Sequence, residues 1–160
     1  MYLISKIIPW KRTLYATLTI LVALIVLSFY GLYTNMFYFF KIDNYIFPIL
    51  SLVHFIFLYV LWFKIKESEI SDPQMRNLEY SLYVVSFIYI FKLIDTLYVL
   101  STYKEFESHQ LPATFFPVGG LIIAFYILLL GLTLLSFYYR KKYVGAYNID
   151  ILNEQIDTWE

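Results

Sequence analysis

Residues 80–101 read YSLYVVSFIYIFKLIDTLYVLS, a run without glycine or proline in which only Lys92 and Asp95 carry charge. At about 1.5 Å per residue such a run makes a helix of about 33 Å, enough to cross the roughly 30 Å hydrocarbon core of a bilayer. Residues 14–35, 45–63 and 116–139 are apolar runs of similar length with no charged residue. The chain therefore reads as an all-α integral membrane protein, a four-transmembrane-helix bundle over residues 1–142. A composition that is 61% hydrophobic and 15% charged excludes disorder and argues against an ordinary soluble domain.

Orientation follows from lysine and arginine in the short connections, because these residues resist translocation. Lys6, Lys11, Arg12, Lys64, Lys66, Arg76, Arg140, Lys141 and Lys142 fall on one side of the four runs, and Lys41 and Lys104 on the other. The expectation is a bacterial inner-membrane type of protein with both termini cytoplasmic. The first run follows Lys11 and Arg12 as a secretory signal would, but it is too long and no small-residue cleavage site follows, so it reads as a signal anchor. Such a one-sided bias also weighs against a dual-topology transporter.

Local punctuation refines these boundaries. Ser71-Asp72-Pro73 places an N-cap and a first-turn proline ahead of the third helix. That helix should therefore start at Pro73 and project beyond the bilayer. Pro48 falls in the first turn of the second helix, and Pro112 and Pro117 offer two starts for the fourth. Gly119, Gly120, Ala124 and Gly131 on the fourth helix, and Thr13, Ala16 and Ala23 on the first, are small residues that permit close helix approach.

Two segments outside the runs carry a pattern. Tyr2, Leu3, Ile4, Ile7, Ile8 and Trp10 form an apolar stretch suited to the interface. Within residues 143–160, Ile149, Leu152, Ile156 and Trp159 recur at helical spacing, with Asp150, Glu154, Asp157 and Glu160 opposite them. This reads as a short amphipathic cytoplasmic helix. Its acidic back would be repelled by an anionic leaflet, so a protein surface is the expected dock, either a partner subunit or Lys64, Lys66 and Arg76 of the same chain.

Charges within a span usually face protein or water and mark the place around which function is built. Tyr89, Lys92, Asp95 and Thr96 share one side of the third helix, and Ser51 and His54 one side of the second, at similar depth. Together they define a polar seam open to three readings. In the first, Lys92 and Asp95 neutralise each other and set helix register; in the second, Asp95 and His54 bind protons under the influence of Lys92; in the third, the group completes a site with another subunit. In the outer loop Glu105, Glu107 and His109 form a weak divalent-cation set, for which a solvated acidic loop is the simpler account.

Several chemistries are excluded. The absence of cysteine removes disulfides, thiolate catalysis and thiol redox roles, and zero net charge gives no support to nucleic-acid binding. No phosphate loop, nucleophile elbow or zinc-protease helix occurs, and no motif implies a specific cofactor. The high aromatic content, 17 Tyr and 15 Phe, exceeds what interfacial belts require, and is open to a coding bias or an aromatic ligand site. The expected partners are the lipid bilayer and either a protein subunit or further copies of the chain. The functional expectation is a non-enzymatic subunit or accessory of a larger membrane complex. The alternative is a proton-coupled small-molecule transporter or channel using Asp95, Lys92 and His54.

Overall fold

The structure, a computed structural model, describes residues 8–103 and 111–147. Its elements are α1 (Trp10–Ser28), a two-stranded ladder of β1 (Tyr30–Gly31) and β2 (Met36–Phe37), a 3-10 turn (Ile42–Tyr45), α2 (Ile46–Glu67), α3 (Pro73–Ser101) and α4 (Phe115–Tyr143). All four α-helices are long and apolar enough to cross a membrane. They close into a ring in which α1 packs on α4, α4 on α3, α3 on α2 and α2 on α1. The ladder caps one end of the ring, and the lysines and arginines at the ends of α2 and α4 gather at the other. The amphipathic tail 149–160, the outer-loop set Glu105, Glu107 and His109, and residues 1–7 of the interfacial stretch lie outside the described residues.

Each helix buries one stripe at three- and four-residue spacing, the signature of a helix packed on one side. On α1 the stripe is Thr13, Thr17, Leu21 and Leu24; on α3 it is Met75, Glu79, Leu82, Val85 and Tyr89. The stripe of α4 runs from Phe115 through Gly119, Ile122, Tyr126, Leu129 and Thr133 to Arg140. Of the small residues read from the sequence, Thr13 and Gly119 lie in the contacts. A side chain at Gly119 would sit 2.6 Å from Leu100, whereas Gly120 and Gly131 face open space.

The first helix differs from the expected 14–35. It starts at Trp10, just after Pro9, and ends at Ser28, where the chain turns into the ladder with Tyr30 opposite Phe37 and Gly31 opposite Met36. The reason is turn chemistry that hydropathy does not register. Amides of Thr34 and Asn35 donate to the Gly31 carbonyl at 3.3 and 2.9 Å, and Asn35 takes the left-handed conformation that asparagine tolerates, with φ of 55°. A side chain at Gly31 would lie 2.5 Å from the Tyr38 ring.

The start of α3 agrees with its punctuation. Asp72 accepts a hydrogen bond from the Met75 amide at 2.7 Å, and Pro73 follows it in the first turn. The same carboxylate meets the buried Lys64 ammonium at 2.9 Å, which also faces Glu69 at 3.2 Å and donates to the Ile70 carbonyl at 3.1 Å. All three lysine protons thus have acceptors, which is how this cation is held inside. Lys64 is committed to these groups, and Lys66 to Glu67 at 3.3 Å, so of the basic trio read from the sequence both lysines already have acidic neighbours.

Burial opposes ionisation of Asp72, but the Lys64 ammonium and the Met75 amide outweigh it and hold the carboxyl below its usual value. A carboxylate lowered in the folded state stabilises the fold fully above its unfolded value of about 3.9, and the gain is lost as pH falls through the lower folded value. Asp72→Ala should therefore cost about 1 kcal/mol near neutral pH through loss of the cap. The gap from the native chain should close below about pH 4, as the native carboxylate is protonated. Thermal unfolding of both chains across a pH series measures this; a constant difference down to acid pH would contradict it.

Candidate functional site

Lys92, Asp95 and Thr96 line a cavity of about 150 Å³ beneath the ladder. Its other polar walls come from Ser28 at the end of α1, Tyr30 of β1, Asp43 and Asn44 of the 3-10 turn, and Tyr126 of α4. Leu24, Leu27, Leu32, Phe47 and Ile122 complete it. The hydroxyls and the amide here are mostly engaged. Ser28 donates to the carbonyls of Ile25 at 2.7 Å and Asn44 at 3.2 Å, and the Asn44 amide donates to Tyr38 at 2.9 Å. Tyr30 donates to Thr114 at 3.0 Å and also meets the Asn35 side chain.

The charges are not so engaged. Among the described residues neither Lys92 nor Asp95 makes an ion pair, and Asp43 has only Lys41 at 4.0 Å on the exposed surface. Lys92 is half-buried and Asp95 exposed. The cavity therefore holds one ammonium and two carboxylates with little internal compensation, an arrangement suited to a polar or charged group brought from outside.

The rest of the expected seam lies elsewhere. His54, Tyr89 and Ser51 are all fully buried. His54 Nδ1 and the Tyr89 hydroxyl stand 3.4 Å apart, a long contact, with their rings stacked at 6.0 Å. No described side chain meets His54 Nε2. Ser51 donates to the Pro48 carbonyl at 2.7 Å and Thr96 to the Lys92 carbonyl at 2.9 Å, so both hydroxyls are spent on their own helices. Phe47 stands between the two groups: it lines the cavity, and its ring meets Tyr89 at 5.4 Å and Tyr126 at 5.8 Å. The six residues thus form a cavity set and a buried core set, with the Phe47 ring in contact with both.

A second polar centre escaped the sequence reading. At the basic end, Glu79 of α3 and Arg140 of α4 are both buried. Arg140 Nη2 donates to Glu79 Oε1 at 2.8 Å, Nε lies 2.6 Å from Oε2, and Nη1 donates to the Gly145 carbonyl at 3.0 Å. Tyr83 donates to Oε1 at 2.9 Å and Tyr147 to Oε2 at 2.6 Å, while the guanidinium lies 4.2 Å from the Tyr147 ring centre. The carboxylate draws the bonds that satisfy its two oxygens from both helices and from the chain beyond α4. The signal that could have found it is the α3 spacing, since Glu79 falls between Met75 and Leu82 on the buried stripe.

No family model, curated protein or solved structure matches the chain, so the cavity and the two buried polar centres carry the functional argument.

Proposed function

We propose that the chain is a non-enzymatic subunit or accessory of a larger membrane assembly, lying in a bacterial inner-membrane type of bilayer with both termini cytoplasmic. Asp95 carries the proposal. It lies six residues from the end of α3, about 9 Å along the helix axis, exposed at the edge of the cavity and beside the outward stripe of Phe87, Phe91 and Tyr98, which are 64%, 69% and 63% exposed. Apolar residues on such a stripe suit lipid. A carboxylate among them costs about 2.5–3.5 kcal/mol at bilayer depth unless something pairs with it. No described side chain of this chain does so, and a donor or cation from a neighbouring subunit would.

Asp95→Lys should therefore convert the native assembly to the lone chain in mild-detergent electrophoresis while leaving helix content unchanged. Migration of the unaltered chain as a monomer, or an assembly that survives the charge reversal, would count against a subunit role. A transporter using Asp95, Lys92 and His54 is the second reading, and the cavity is in its favour. Against it stand Phe47 and the buried apolar layer of Leu61, Leu82, Val85 and Leu129, between the cavity and the basic end. Proton-dependent flux in proteoliposomes that Asp95→Asn abolishes would favour that reading instead.

A further inference from the structure

At the basic end a groove of about 440 Å³ separates α1 from α2. Trp10, Lys11, Leu14, Tyr15 and Leu18 form one wall, and Phe55, Tyr59 and Trp62 the other, over Leu58. It arises because α1 turns its stripe of Thr13, Thr17, Leu21 and Leu24 inward, which leaves Tyr15 and Leu18 on its flank 71% and 47% exposed. From Lys11 to Leu18, and from Trp62 to Phe55, each wall runs seven residues, about 10 Å along the axis. The slot is thus apolar along its depth and has its charge at one mouth.

That mouth is cationic. Lys11 Nζ lies 5.6 Å from the Trp10 ring centre and Lys66 Nζ 5.2 Å from that of Trp62, so both lysines are held beside the groove by the tryptophans that line it. Lys66 shares its charge with Glu67 at 3.3 Å, whereas Lys11 has no acidic partner among the described residues. No carboxylate lines the groove. Tryptophan at the level of lipid headgroups and lysine reaching out beside it are the usual anchors of an interface.

The geometry points to a binding site for one anionic phospholipid, with its phosphate against Lys11 and Lys66 and an acyl chain laid between α1 and α2. The site rests on the reading that the four helices cross a bilayer, and it commits to a lipid because an apolar slot with a cationic mouth matches the two halves of that molecule. A zwitterionic lipid such as phosphatidylcholine fills the slot but brings its own cation to the mouth, so it gains less from the lysines than a lipid with net negative charge. One lysine near a membrane surface contributes about a five-fold preference for an anionic headgroup.

The chain contains three tryptophans, so Trp159→Phe leaves Trp10 and Trp62 as the only reporters, both on the groove. Reconstituted into phosphatidylcholine vesicles, this variant should be quenched by chain-brominated phosphatidylglycerol at about one fifth of the mole fraction required of chain-brominated phosphatidylcholine. Lys11→Ala should bring the two lipids close to parity, and Leu18→Phe, which fills the slot, should reduce the preference with the mouth intact. Lys41→Ala, at the ladder end, should change nothing. Equal quenching by both lipids before any lysine is altered would overturn the site yet leave the membrane reading standing. Absence of quenching by either lipid would overturn the membrane reading itself. A preference that survives Lys11→Ala and Leu18→Phe would place anionic lipid elsewhere and also overturn the site.

Discussion

Arg140→Ala should lower the free energy of unfolding by about 3–5 kcal/mol, because it strands a buried carboxylate. Glu79 is 1% exposed, and loss of the guanidinium leaves it only the hydroxyls of Tyr83 and Tyr147. The Gly145 carbonyl also loses its donor, which loosens the chain just beyond α4. The variant with both Glu79→Met and Arg140→Met should be closer to the native chain than Arg140→Ala, since it removes the charge as well as its partner. Its remaining deficit would come from the two phenol hydroxyls, which lose their acceptor. Denaturant titration in micelles, read by tryptophan fluorescence, compares the three chains. A double variant less stable than Arg140→Ala, or a single-variant loss below about 1 kcal/mol, would show that the pair is not a coupled buried unit.

Phe47→Ala should be nearly as damaging and should have a second consequence. Truncating a buried phenylalanine costs about 3–5 kcal/mol through lost burial and the void left behind. Phe47 is 2% exposed, and its ring lines the Lys92 and Asp95 cavity on one side and packs on Tyr89, the neighbour of His54, on the other. Removing it would join the two spaces and give water a route to His54. The chain has two histidines, so in a His109→Gln background modification by diethyl pyrocarbonate reports on His54 alone. His54 should be inert behind Phe47 and reactive in Phe47→Ala. Phe47→Leu keeps most of the bulk and should keep it inert. Equal reactivity in all three chains would mean that Phe47 does not seal the layer.

Much of the architecture was legible before any coordinates. The 80–101 stretch became most of α3, and Asp72 and Pro73 marked its start because a cap and a first-turn proline act on the residues beside them. The end of α1 was not legible from hydropathy, since Tyr30, Leu32 and Tyr33 are apolar enough to extend a span. It lies instead in the turn that follows, where the Gly31 carbonyl accepts from Thr34 and Asn35 and Asn35 is left-handed. The candidate site was legible only in part. Helical spacing puts Tyr89, Lys92, Asp95 and Thr96 on one side of α3, and the last three line the cavity while Tyr89 does not. Depth groups His54 with them and helical spacing groups Tyr89, but neither records how far α3 is rotated, which buries Tyr89 fully and leaves Asp95 exposed.

By itself the sequence determined four long apolar helices, where three of them begin and that Lys92, Asp95 and Thr96 lie within about a turn of one another on α3. These features depend on interactions within a turn or two of helix, so local chemistry decides them. Tertiary structure alone decided which charges meet. Glu79 finds Arg140 61 positions away, and Asp43, Asn44 and Tyr30 reach the Lys92 cavity only because the ladder folds the chain back over the bundle. The choice rests on how each helix is rotated to bury its stripe. That rotation is set by packing against the other three helices at once, and no single stretch of the chain contains it.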